Sequence, residues 1–196
     1  MPSEPDDEPV RLTDARAIRA LAHPARLAVI DALRNQGRTL TATEAAEVAG
    51  LSPSAMSYHL RALAKWGIVR EAESDDASDG RERRWQRAGA GFQFDPPAHG
   101  AEAATAFIAS HYLDETRAQL SHYLTNQARE NDFWRENAVM SYREAWLTEE
   151  QALEVGKLAG ELLEAKASRD DNRPPGARRV RMTFLMFPID APDDAN

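Results

Sequence analysis

Apolar positions recur at helical spacing in four short stripes along the first 65 residues. Ile18 and Leu21 make the first, and Leu27, Ile30 and Leu33 the second. Ala45, Ala46, Val48 and Ala49 make the third, and Met56, Leu60 and Leu63 the fourth. Start and stop signals separate them. Asp14 can cap a helix running to Ala22, Pro24 restarts the chain, and Gly37 closes the helix that follows. Thr41 and Glu44 have the spacing of a capping box, in which the hydroxyl takes one orphan amide and the carboxylate reaches back to another. The third helix therefore starts at Ala42 and exits through Gly50. Ser52 caps a fourth helix with Pro53 in its first position, running to about Lys65.

Beyond that the period changes. Ile68 and Val69 begin a strand, Asp79-Gly80 is a turn signal, and the chain returns around Trp85, which suits a core plug beneath the hairpin better than a base-stacking ring. Two helices joined at a glycine and followed by a hairpin outline a winged helix-turn-helix. With Met56, Leu60 and Leu63 turned inward, the other face of the fourth helix presents Ser54, Ser57, Tyr58 and Arg61. Hydroxyls near a helix N-terminus and a long cation further along suit a major groove, where Arg can chelate guanine or clamp phosphate. Any one of these side chains alone is equally compatible with a solvated face; the arrangement as a whole points to DNA.

The segment from Leu21 to Arg87 resembles the ArsR-type winged helix. It carries LAHPARLAVIDAL, with the His-Pro-x-Arg break, then TEAAEVAGLSPSAMSYHLRALAKWGIV, then a hairpin ending in GRERRWQ. The resemblance implies that Ser52, Ser54, Ser57, Tyr58, His59 and Arg61 belong to the DNA-reading helix and that Arg81, Arg83 and Arg84 belong to the wing. His59 borders the buried stripe, so a local hydrogen bond and a phosphate contact both remain open to it.

The second half is patterned differently. GAGFQFDPPAHG, residues 89–100, has Gly and Pro enough to break regular structure, and a linker is expected over 91–100. From Ala101 to about Arg129 the pattern is helical, with Ala106, Ala109, Leu113, Leu120 and Leu124 along one side and Tyr112 and Tyr123 flanking it. Such a helix is roughly 40 Å long, more than one small domain needs, so part of its apolar face is expected to pack on a second chain. Residues 138–147 and 179–187 have strand-like content, and Thr148 with Gln151 forms a second capping box opening an amphipathic helix with Leu153, Leu158, Leu162 and Leu163. Ser168 to Ala177 reads as a polar loop. Met140, Trp146, Met182 and Phe184 could line a ligand pocket or form a core, and a core is the simpler reading.

The family resemblance also gives His111 and His122 a sharper meaning, because metal-sensing relatives carry D-x-H-x10-H-x2-E on their dimer helix. Ala109 and Thr125 stand where the two carboxylates belong, leaving two of four tetrahedral ligands missing. No metal and no cofactor is expected.

Charge refines this picture. The formal net charge is −8, but it is divided: residues 1–9 carry four acids and no base, 10–90 carry thirteen Lys/Arg against ten Asp/Glu, and 91–196 carry eleven against eighteen. The positive excess therefore sits where DNA binding is inferred. The loop EAESDDASDG is acidic, so wing contacts fall to its arginines. There is no cysteine, which excludes disulfides and thiolate metal sites. No signal peptide or apolar span is legible, so a cytoplasmic location without membrane contact is expected. Neither a phosphate loop nor a nucleophile elbow is present, so an enzyme is not expected.

The expectation is an α+β protein: an acidic disordered tail over 1–10, a winged helix-turn-helix over 11–90, the linker, and a dimerisation region over 101–196. That last region holds a long helix and a strand-helix-strand unit able to take a small-molecule effector. The function expected is a homodimeric regulator, a repressor on a palindromic operator, contacting duplex DNA through helix 53–65 and wing 70–87. The alternatives are a His-based metal-responsive repressor and a winged-helix protein-docking module that binds no DNA.

Overall fold

The computed structural model describes residues 9–36, 39–72, 83–89, 91–94, 99–164 and 174–190. It divides into two compact units, one running to Ala118 and the other from Gln119 onwards. Gly37, the Asp79-Gly80 turn, Arg81, loop residues 168–173 and the Leu163 side chain lie outside the described residues.

In the first unit the capping signals act as the sequence implies. Helix α1 (Ala15–Leu21) is capped by Asp14, whose carboxylate accepts the Arg16 amide at 2.7 Å, and α2 (Pro24–Gln36) starts at proline. Thr41 and Glu44 close both halves of their capping box, at 3.1 and 2.7 Å, on α3 (Ala42–Ala49). Gly50 leaves that helix at φ +65°, a left-handed conformation that glycine adopts without strain. Ser52 caps α4 (Pro53–Ala64), and its hydroxyl accepts the Ala55 amide at 3.3 Å.

The predicted stripes meet in one core except at Val48, which is exposed on the far side of α3, with Ala49 only partly buried. Ile18, Leu21, Leu27, Ile30, Leu33, Ala45, Ala46, Met56, Leu60 and Leu63 are all buried, and Trp85 is buried beneath the hairpin. Strands β3 (Val69–Glu71) and β4 (Arg84–Arg87) are antiparallel, and β2 (Leu40–Thr41) pairs on the other side of β4 with Leu40 opposite Trp85.

Two boundaries differ from expectation. Val10, placed in the tail, opens β1 (Val10–Leu12), and Phe92–Phe94, placed in the linker, form β5, which runs parallel to β1 with Val10 opposite Phe92. Gly and Pro flank this short segment without entering it, and Val10 and Phe92 pack against the core.

Helix α5 (Glu102–Asn126) matches the expected long helix, but a different face is buried. Ile108 enters the core with Ala104 and Tyr112 against it, while Leu113, Leu120 and Leu124 are exposed.

In the second unit a 3-10 turn (Gln127–Arg129) and α6 (Asp132–Asn137) follow α5, and α7 (Glu149–Glu164) begins at the second capping box, where Thr148 and Gln151 bond reciprocally at 2.9 and 3.3 Å. The α+β class stands, but the strand-helix-strand unit does not close. Residues 138–147 and 177–189 belong to no ladder, and Met140, Trp146, Met182 and Phe184 are 77, 87, 50 and 44% exposed. They form neither core nor pocket within one chain. The physical reason is that strand-like side chains make a strand only when a neighbouring backbone completes the hydrogen bonds.

Candidate nucleic-acid interface

Helix α4 is fixed from behind and open in front. Met56, Leu60 and Leu63 are fully buried, so the helix cannot roll without breaking the core. Its opposite side carries the exposed Ser54 and Arg61 and Tyr58, which is 61% exposed. Ser57 is half-buried and its hydroxyl donates to the Pro53 carbonyl at 2.8 Å, a bond that occupies its proton. Ser52 is exposed, but its oxygen already serves as the cap. The side chains that reach outward are thus Ser54, Tyr58 and Arg61.

His59 sits in a different environment from its neighbours. Arg26 Nε donates to its Nδ1 at 3.2 Å, and its ring lies 4.6 Å from that of His23 and edge-on to Tyr58 at 5.6 Å. Burial first, and then the His23 and Arg26 charges, hold it below the usual histidine range. Since Arg can only donate, His59 is neutral here with its proton on Nε2.

This cluster explains the His-Pro-x-Arg break. His23 Nδ1 accepts the Ala25 amide at 3.2 Å at the start of α2, Pro24 begins the helix, and Arg26 ties the Ala20 carbonyl at the end of α1 to His59 on α4. Sequence reading recorded the motif but missed this tie. No local signal marks it, because the partner of Arg26 lies 33 residues away on another helix.

Of the expected wing arginines, Arg83 and Arg84 lie among the described residues, and both are engaged within the protein. Arg83 pairs with Glu71 across the hairpin at 3.0 Å, and Arg84 donates to the Thr39 hydroxyl at 2.7 Å, the Thr39 carbonyl at 3.0 Å and Glu44 at 3.3 Å. Arg84 therefore braces the hairpin against the capping box of α3. Sequence reading also missed Trp66, whose ring lies 5.6 Å from the Arg16 guanidinium and 5.7 Å from the Lys65 ammonium at the end of α4.

The histidines of α5 are not brought together. His111 Nε2 lies 2.6 Å from Asp31 Oδ2 on α2, beside Arg34, which is 2.9 Å from the other Asp31 oxygen and 2.6 Å from Glu115. His122 is exposed, with Asn126 at 3.5 Å. Among the described residues no three of His, Cys, Asp and Glu gather closely enough to hold a metal ion, and no helix is long and apolar enough to cross a membrane.

A sequence family described as a helix-turn-helix domain matches residues 21–72. The HTH-type transcriptional regulator NmtR of Mycobacterium tuberculosis is 40% identical over 68 residues, which cover 35% of this chain and 55% of that protein. The chain thus spans about half the length of the curated relative it matches. A solution structure from Mycobacterium bovis, titled as a homodimeric winged helix-turn-helix DNA-binding domain of a possible ArsR-family regulator, aligns at 21% identity and a TM-score of 0.35 over 54% of this chain and 81% of that one. Residues 21–72, from the end of α1 through α4 to the start of the hairpin, match a helix-turn-helix domain.

Proposed function

We propose that the protein regulates transcription by binding DNA sequence-specifically, as a homodimer on a palindromic operator, and that it represses by occupying the promoter. The observation that carries this reading is the two-sidedness of α4: Met56, Leu60 and Leu63 lock one face into the core, while Ser54, Tyr58 and Arg61 stand in solvent on the other. In this reading Arg61 makes the principal base or phosphate contact, Ser54 and Tyr58 bond to bases or backbone, and the amides at the start of α4 with Ser52 favour phosphate. Arg81 and Arg83 supply wing contacts to phosphate. His59, Ser57 and Arg84 hold the reading surface in shape. Residues 11–90 read DNA, and residues 101–196 join two copies so that two α4 helices meet half-sites about one helical turn apart.

Gel-shift titration on fragments that co-purify with the protein, at two salt concentrations, tests this. Affinity that falls steeply with salt, as phosphate contacts release counterions, is the expected result. A protein that shifts no fragment at either salt is a docking module instead. Added chelator leaves the shift unchanged; a large chelator effect would point back to His111 and His122.

A further inference from the structure

The second unit holds two halves of a β ladder that do not meet. Residues 177–189 are anchored at their start: Arg178 clamps Glu130 at 2.5 and 3.1 Å and lies 5.4 Å from the Trp134 ring, and Arg181 donates to Gln119 at 3.0 Å. Met186 Cε lies 3.7 Å from where a Cβ at Gly156 would stand, so the Val180-Met182-Phe184-Met186 face leans toward α7. The other face, with Arg179, Arg181, Thr183, Leu185 and Phe187, has Leu185 and Phe187 in solvent. Residues 138–147 are more exposed still. Val139, Met140, Tyr142 and Trp146 all project into water, and the Tyr142 hydroxyl bonds locally to Glu144 at 3.2 Å.

A segment outside any ladder that carries this load of apolar surface and strand-like side chains needs a strand beside it. The geometry points to a second copy of this chain as that strand's source: each protomer extends residues 138–147 as an arm onto residues 178–187 of its partner. Laid antiparallel with Glu144 opposite Arg181, the arm places Met140 against Leu185, Tyr142 against Thr183, and Trp146 against Arg179. One register thus gives an opposite-charge pair, an apolar pair and a cation over an aromatic ring. A two-fold axis uses both halves twice and leaves no arm unpaired, which a foreign partner would not. This rests on the two-copy reading above and deepens it, adding a reciprocal arm exchange within the second unit.

A charge swap tests the exchange. Glu144→Arg alone and Arg181→Glu alone each place like charges across both ladders of a homodimer and weaken it. Mixed, the two variants restore opposite charges in both ladders, and the ratio of mixed to like dimers rises about tenfold above its statistical value in native mass spectrometry. E144R/R181E in one chain regains the dimer, which separates charge repulsion from misfolding. In the unaltered protein, amides of 139–147 exchange slowly at dimer concentration and fast on dilution. A native dimer with statistical mixing, or with fast exchange over 139–147 at dimer concentration, overturns the arm exchange and leaves the homodimeric regulator standing; a native monomer at gel-shift concentrations overturns both.

Discussion

The two units use the same local device and reach different ends. Thr41 with Glu44 starts α3 and Thr148 with Gln151 starts α7, each by a reciprocal capping box of nearly the same dimensions. Around α3 the stripes of four helices close on one another, and every buried apolar side chain among the described residues falls between Leu12 and Ile108. Around α7 none does: Leu153, Leu158 and Leu162 face outward, as do the aromatic side chains of the flanking segments. A cap decides where a helix begins. Whether the helix contributes to stability depends on what covers its apolar side.

The sharpest way to break that contrast is to remove one large apolar side chain from each unit. Leu60 is fully buried between α4 and the core, so Leu60→Ala costs about 2–5 kcal/mol by lost transfer energy and cavity formation. Trp146 stands in water within a single chain, so in dilute, monomeric protein Trp146→Ala leaves the first unit's denaturation midpoint in place. Far-UV circular dichroism through a urea titration reads both. Equal losses would mean that the two units share one core.

Within the first unit the same division applies to the two sides of α4. Arg61 is exposed, so Arg61→Ala leaves the urea midpoint unchanged yet weakens operator binding by about 1–3 kcal/mol in the gel shift. Unchanged affinity would remove the principal contact from the proposed interface. Arg84→Ala should do the reverse, because its guanidinium is spent on Thr39 and Glu44: a lower urea midpoint, with the change in DNA affinity following from it.

Much of this unit was legible in the sequence, because its signals are local. Asp14, Pro24, Thr41–Glu44, Gly50 and Ser52–Pro53 fix helix boundaries through bonds spanning four residues or fewer, and the stripes between them have one plausible way to face. What was not legible depends on distant partners. The short β1–β5 ladder needs Val10 and Phe92 to meet across some eighty residues, and a three-residue strand leaves little periodicity to read. The burial of Ile108 rather than the Leu113–Leu120–Leu124 side is set by where α2 lies, with His111 drawn to Asp31 and Glu115 to Arg34. In the site, outward-facing Arg61 and Tyr58 could be read from periodicity, whereas Arg84 as a brace and His59 as Arg26's acceptor could not. In the second unit the segments 138–147 and 177–189 were readable as strand-like, but a ladder is a property of two paired backbones and within one chain these two do not pair.

The two capping boxes allow a gentler comparison. Thr41 is buried, and its Glu44 partner also receives Arg84, so Thr41→Ala costs about 1 kcal/mol, within the usual range for a lost N-cap. Thr148 and Gln151 are exposed, where water replaces a lost cap bond more readily, and Thr148→Ala costs less. Parallel urea titrations monitored by helix signal give the ranking. Equal costs would mean that the second box is also covered in the working protein, which the arm exchange could bring about.

The smallest effect concerns His59. Its folded-state pKa lies below the usual value of about 6.5, through burial first and the His23 and Arg26 charges next, so the neutral ring is favoured in the folded protein. A depressed folded pKa gives stability that is complete above the unfolded value and is lost as pH falls from there through the folded value. Protonation would also put a proton on Nδ1, facing the Arg26 Nε–H that now donates to it. Acidification below about pH 6.5 should therefore loosen α4 from α2, and His59→Gln, which keeps an acceptor for Arg26 without a titrating ring, should flatten that part of the stability profile. Urea midpoints at closely spaced pH values read it. A variant as pH-sensitive as the native chain would move the titration to another group.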